Sequence, residues 1–295
     1  MIEVKNLTKT FDGVKAINNL SVEIRPGITG IVGEDGTGKS TFLRIIAGIF
    51  YPTSGSVQID GYSASSKEAK ERIFFLSDDP YLPNGGKVMD IYDFYSCFYE
   101  VSKDKFVGLI KEAGLPLDKE MAKFSKGMRR QAFIALALSV NCPYIFLDEA
   151  FDGLDPLILD RIKSEIIAIN DNDRTIIISS HNISVLEKMA DRTLVLYNGT
   201  IAKDGTAEHF GQEIIKYQMA CDAPVNEKSL SDLGIEVIAF KKVGSIFHFV
   251  VVDDKDNEEK IKSAFHPLLL EQIPISAEEI VLFEMLLAKK GVKHE

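Results

Sequence analysis

Eight residues, GEDGTGKS from Gly33 to Ser40, follow an apolar strand and open an apolar helical run, and no other stretch limits the possible folds as tightly. The spacing G-x-x-x-x-G-K-[ST] in that context is a phosphate-binding loop. Gly33, Gly36 and Gly38 let the backbone curl so that successive N–H groups, across Glu34, Asp35 and Thr37, point inward at phosphate oxygens. The helix behind adds its positive N-terminal end. Lys39 would reach the β- and γ-phosphates, Ser40 would offer its hydroxyl to Mg²⁺, and Thr41 would support the α-phosphate.

The chain has 295 residues, 45% hydrophobic and 26% charged, enough for one large domain and a small one. With 34 basic and 44 acidic residues the formal net charge is −10, which argues against nucleic acid or an anionic lipid surface as the main partner. Cys97, Cys142 and Cys221 have no metal-ligand spacing and read as reduced thiols of a cytosolic protein. The start MIEVKNLTKTF is neither signal peptide nor basic presequence, and the longest apolar runs, such as Ala132 to Val140, are too short to span a bilayer. Membrane contact is expected only through a partner.

Strands are expected at Ile2–Val4 and Ile17–Ile24, an antiparallel layer ahead of the loop, followed by a helix from Lys39 to about Ala47 and a short strand at Val57–Ile59. A helical insertion fills about Met89 to Leu138. From Tyr144 the pattern becomes unbroken apolar strands, YIFL, TIIIS and TLVLY, separated by helices at Leu157–Ile169 and Ile183–Met189. Strands apolar on both faces belong to a buried parallel sheet.

The strand YIFL ends in Asp148 and Glu149, two carboxylates at the carboxyl end of a parallel strand, where open α/β sheets bind ligands. Asp148 would hold the Mg²⁺ shell. Glu149 would polarise the water that attacks the γ-phosphate, because in-line hydrolysis needs an oriented nucleophile.

Between these motifs lies FSKGM, Phe124 to Met128, before a helix containing Phe133, Ile134 and Leu138, and here the chain resembles the ATP-binding cassette (ABC) ATPases. Their signature LSGGQ precedes a helix in the same way; Ser125 and Gly127 match it, while Lys126 and Met128 replace a glycine and a glutamine, a form similar to that of single-cassette bacterial export ATPases. The resemblance implies that this signature grips a γ-phosphate held by the opposite subunit. It also implies that Phe11 stacks on adenine, that DGLDP from Asp152 to Pro156 is the D-loop with Asp155 in it, and that His181 is the switch histidine. In FLSDDP, Asp78 stands where the family usually has a glutamine that senses Mg²⁺, and Gln131 and Leu136 stand where arginines are common.

The implied fold is an α/β P-loop nucleotide-hydrolase cassette, with a parallel core, an antiparallel layer and a helical insertion, over residues 1–212 with the helical subdomain at about 78–140, and a small α/β extension at 213–295. In the extension, Ile246–Val252 reads as a strand, CDAPVNEKSLSDLG as a linker, and Ser276 with Glu279 as a capping box before EIVLFEMLLAKK. The implied activity is ATP hydrolysis with Mg²⁺ in a homodimer, or a heterodimer with a second cassette. That dimer would drive a separate multi-span transmembrane permease from the cytoplasmic face, in the export direction. A soluble cassette ATPase without a membrane partner and a sensor that binds without hydrolysis remain as alternatives. The run DIYDFYSCFYE, with Tyr92, Phe94, Tyr95, Phe98 and Tyr99, reads either as core or as a docking face for the partner's cytoplasmic helix.

Overall fold

In the computed structural model, which describes residues 1–82, 85–170, 174–186, 189–206, 210 and 212–290, the strand leading into the phosphate loop is held between neighbours on both sides. The chain opens with β1 (Ile2–Phe11), β2 (Val14–Ile24), β3 (Gly27–Val32), α1 (Lys39–Ile46), β4 (Ser54–Ile59) and β5 (Tyr62–Ser63). Then come α2 (Lys67–Lys70), β6 (Ile73–Leu76), α3 (Val88–Ser96), α4 (Lys103–Glu112) and α5 (Lys126–Ser139). The first unit, Met1–Asp204, continues through β7 (Tyr144–Leu147), α6 (Pro156–Ile169), β8 (Thr175–Ser180), β9 (Arg192–Tyr197) and β10 (Thr200–Gly205), whose final residue opens the next unit.

Two sheets organise this unit. The order β2-β1-β4-β5 forms an antiparallel layer, and β10-β9-β3-β8-β7-β6 is built around parallel pairs, with β3 between β8 and β9. Every residue of β7 and β8 is buried, which is why their sequences carry no polar alternation. α1 buries Phe42, Leu43, Ile45 and Ile46 in one apolar cluster with Ile2, Leu7 and Ile17 of the antiparallel layer and Ile31, Phe146, Ile177 and Leu194 of the parallel sheet. Each sheet thus has an apolar face in contact with that cluster, and α1 supplies its middle.

Register then fixes the site. Leu76 pairs with Leu147 and Leu147 with Ile178, so the residues after β6, β7 and β8 emerge side by side with the loop after β3. Asp78, Asp148 with Glu149, Ser179 with His181, and the phosphate loop therefore share the carboxyl ends of adjacent strands.

The middle of the unit is helical. Tyr95 and Tyr99 pack on Phe74, and Tyr92 stacks on Phe106, so the tyrosines of α3 and its end join the packing. Phe94 and Phe98 face out instead, 5.5 Å apart, and Phe94 meets Tyr81 at 5.2 Å. The aromatic run is therefore both core and exposed patch, divided by helical phase.

The second unit, Gly205–Glu295, comprises β11 (Ile214–Ala220), α7 (Glu227–Ser231), β12 (Val237–Val243), β13 (Ile246–Val252), α8 (Asn257–Phe265), β14 (Leu269–Ile273) and α9 (Ala277–Lys290). Its sheet order is β12-β13-β11-β14. One face buries Tyr217, Phe247, Phe249 and Val251 with Ile261 of α8; the other buries Ile214, Ile238 and Val250 with Phe283 and Leu287 of α9. The capping box before α9 forms, Glu279 N–H donating to Ser276 Oγ at 3.3 Å and Ser276 N–H to Glu279 Oε2 at 3.1 Å.

Two local expectations change. The stretch read as a linker contains α7, capped by Asn226, whose side chain accepts from Ser229 N–H. The helix expected at Ile183–Met189 is a 3₁₀ turn at Ile183–Val185, and 187–188 lie outside the described residues.

Phe42→Ala would empty the centre of the cluster that joins both sheets. The expected loss is about 3–5 kcal/mol of unfolding free energy, read from the denaturant midpoint.

Candidate functional site

The loop after β3 is shaped by close backbone approaches. Gly38 has φ +107° and a Cβ there would meet the Ala16 carbonyl at 2.4 Å; a Cβ on Gly33 would meet the Leu196 carbonyl at 2.6 Å. Gly38 is also the N-cap of α1 and offers no side chain, so that helix end is left to main-chain N–H groups. Thr37 spends its hydroxyl inside the loop, donating to the Glu34 carbonyl at 2.8 Å, and Gly199 N–H donates to the Thr37 carbonyl at 3.1 Å.

Lys39 lies under this loop, 5% exposed. Its ammonium donates to the carbonyls of Gly33 at 2.7 Å and Glu34 at 3.1 Å and stands 3.2 Å from Glu149 Oε1. The approach to Glu149 is an ion pair without hydrogen-bond alignment, since Oε1 has no hydrogen-bond partner.

Asp148 is fully buried. Its Oδ1 accepts from Ser40 Oγ at 2.9 Å and Ser179 Oγ at 2.7 Å; its Oδ2 has no hydrogen-bond partner, and Arg44 Nη2 is 3.9 Å away. Burial pushes this carboxyl above the ordinary carboxylate range, with the Asp78 charge acting the same way, while the two hydroxyls and Arg44 pull it down. Asp78 itself is exposed and paired with Arg44 at 3.0 Å.

Glu149 sits in the left-handed region, φ +46°, a conformation that a non-glycine residue adopts at a cost of about 1–3 kcal/mol. Its N–H donates to Ser179 Oγ at 3.0 Å, and its Oε2 lies 3.3 Å from His181 N and 3.2 Å from His181 Nδ1. Asp35, Glu149 and His181 bring their ligand-capable atoms within 4.8 Å of one another.

A recess of about 250 Å³ opens here, lined by Ala16, Asp35, Gly36, Gly38, Lys39, Ser40, Thr41, Asp78 and Glu149. The loop, one acid of the β7 pair and Asp78 therefore face one space. Phe11 is not in that lining: it projects at the end of β1, 40% exposed, edge-on to Phe50 at 5.7 Å with Lys9 Nζ 4.8 Å from its ring.

Ser125 to Met128 also lie outside that lining. Ser125 caps α5, its Oγ accepting from Met128 N–H at 3.2 Å, and Lys126 is bound to Asp152 at 2.6 Å. Gly127 lies under the D-loop, where a Cβ would be 3.2 Å from the Gly153 carbonyl. Asp155 caps α6, accepting from Leu157 N–H at 3.0 Å.

Sequence reasoning missed Ser179, Arg44 and Ala16. Ser179 was visible as a hydroxyl at the end of a buried apolar strand, and Arg44 as the residue one helical turn after Ser40. Nothing local marks Ala16, whose carbonyl is placed against Gly38 by the fold.

A phosphate-gripping loop, a buried carboxylate beside the loop serine and a second carboxylate at the next position define a nucleoside-triphosphate hydrolase of the P-loop class. Residues 17–152 match the family model described as ABC transporter. The ABC transporter ATP-binding protein YtrB of Bacillus subtilis is 25% identical over 96% of this chain and 97% of its own length. The lantibiotic transport ATP-binding protein SrtF of Streptococcus pyogenes is 30% identical over 68% of this chain and 89% of its own. A dimeric ATP-binding cassette solved in a post-hydrolysis state with ADP and phosphate superposes with a TM-score of 0.63 at 24% identity, covering 70% of this chain and 98% of that one. The chain belongs to the ABC transporter family, as an ATP-binding and ATP-hydrolysing subunit. Among the described residues no helix is long and apolar enough to cross a membrane.

Ser179→Ala would remove a donor to a buried carboxylate and the acceptor for Glu149 N–H together. The expected destabilisation is about 1–3 kcal/mol, measured by chemical denaturation, against no change for Ser65→Ala on the exposed surface.

Proposed function

We propose that two copies of this chain, or one copy and a second cassette, close head to tail on two ATP molecules, and that closure and hydrolysis drive a separate multi-span permease from the cytoplasmic face of a membrane. One observation carries the reading: the phosphate-loop recess is lined without Ser125, Lys126, Gly127 or Met128, so a phosphate in it is open to the signature of another copy. The dimeric form of the similar cassette supports this arrangement. The lantibiotic transport named for the S. pyogenes relative, together with SKGM, supports export. The exposed Tyr81, Phe94 and Phe98 suit docking of the permease. The division at Asp204 supports reading the N-terminal part as the nucleotide-binding domain, with 78–140 as its helical subdomain, and the rest as an appended unit.

Mg²⁺ fits the donor set, because Asp148 Oδ2 is buried without a hydrogen-bond partner beside the Ser40 hydroxyl and Asp78 supplies a further hard oxygen. When bound, the ion would supply positive charge against the phosphate oxygens of the nucleotide. Lys39 supplies the loop's cation, and the N–H groups of Gly33 to Ser40, with Thr41, hold the phosphate chain. Glu149 orients the water, and His181, in contact with Glu149 Oε2, holds that carboxylate. The water oxygen bonds to the γ-phosphorus as the bond to the β–γ bridging oxygen breaks, ADP leaves, and the product is inorganic phosphate. Phe11 offers its exposed ring to adenine.

Glu149→Gln is expected to bind ATP in calorimetry as wild type does and to release phosphate at least about 100-fold more slowly. Lys39→Ala should weaken ATP binding by about tenfold or more. Full turnover in the Gln variant would remove Glu149 from the assigned role.

A further inference from the structure

We propose that Arg130 is a positioning residue that ties the signature of each chain to the water-orienting Glu149 of the same chain, so that the two composite sites are coupled; this rests on the two-copy reading above. Arg130 lies one turn into α5, 12% exposed, and its Nη1 donates to the main-chain carbonyl of Glu149. Its Nη2 stands 4.0 Å from Asp152 Oδ2, the same oxygen that Lys126 holds at 2.6 Å. The Lys126 ammonium holds the Asp152 carboxyl below its ordinary range, so Asp152 stays an anion between two cations.

Every polar group of Glu149 is therefore held, and from different elements. Its N–H is bound to Ser179 of β8, its carbonyl to Arg130 of α5 and to Asp152 N–H at 3.3 Å, and its carboxylate lies against His181 and Lys39. A residue at φ +46° keeps its direction only if both flanking peptides are fixed. Arg130 fixes one of them from the helix whose first residues are the signature. The Lys126–Asp152 pair and the packing of Gly127 under the Gly153 carbonyl bind that helix start to the D-loop at two further points.

The consequence concerns which site controls which. Ser125 to Met128 serve the nucleotide on the opposite copy, whereas Glu149 serves the nucleotide on its own loop. A shift of the α5 start on meeting the opposite nucleotide is carried by Arg130 and Asp152 into the peptide that aims Glu149. Neither group touches the reacting atoms in this arrangement; they act through Glu149.

The test is Arg130→Met in the full chain, with Arg130→Lys beside it. Expected for Arg130→Met are a kcat lowered about tenfold or more, a KM for ATP within about threefold of wild type, an unchanged thermal midpoint and a Hill coefficient for ATP falling to one. Arg130→Lys keeps a donor and should recover part of kcat. The inference is overturned if Arg130→Met keeps kcat within about twofold with the wild-type Hill coefficient, or if its loss is all in KM. Should Arg130→Met not fold, Asp152→Asn reads the same link on an exposed group: a Hill coefficient of one supports it, and the wild-type value overturns it. Glu149→Gln run in parallel separates the two readings. If that variant turns over normally the site assignment fails; if it is silent while Arg130→Met behaves as wild type, only the coupling fails.

Discussion

A buried lysine ammonium, enclosed by two loop carbonyls and one glutamate, organises the nucleotide end of this protein. Lys39 cannot be taken from water without partners, and Gly33, Glu34 and Glu149 provide them. Because the first two are main-chain groups, the loop must be curled for the cation to be satisfied, which requires glycine where Ala16 and Leu196 carbonyls press in. Because the third is a carboxylate on another strand, β3 and β7 must both end at this point. Local chemistry and sheet topology thus constrain one another.

Two adjacent acids at the end of β7 contrast sharply in their surroundings. Asp148 is wholly buried, and burial opposes its charge; two hydroxyls stabilise one oxygen, while the other has no hydrogen-bond partner and only Arg44 at 3.9 Å. Glu149 turns away from it through a left-handed backbone and reaches Lys39 and His181. In the proposed function Asp148 would meet the cation and Glu149 the water. The division follows from a single change of φ at the end of β7.

The loop, the acid pair, the histidine after TIIISS and the parallel core were legible because each depends on local pattern: glycine spacing, an unbroken apolar run, a polar residue at a strand end. What sequence could not show is what register and packing decide. Ser179 reaches Asp148 only because β7 and β8 are paired as Leu147 with Ile178. Arg44 meets Asp78, and Arg130 meets the Glu149 carbonyl, across 34 and 19 residues, distances over which no periodicity speaks. The aromatic run from Tyr92 to Tyr99, which the sequence left as either core or docking face, divides between the two because helical phase separates Tyr95 from Phe94 and Phe98. α7 was hidden by its length, five residues being too few for an apolar period to register.

In the proposed arrangement each chain carries half of two sites, and mixing experiments address that directly. A Lys39→Ala chain has a defective loop and a sound signature; a Ser125→Arg chain has the reverse. Phosphate release should be near background for either alone and should rise severalfold above it on mixing, because the mixed dimer contains one intact site; the coupling through Arg130 keeps the rise below the roughly one quarter of the wild-type rate that independent sites would give. If the Ser125→Arg chain hydrolyses ATP normally alone, or if mixing two folded chains restores nothing, the nucleotide is not shared between copies and the account fails.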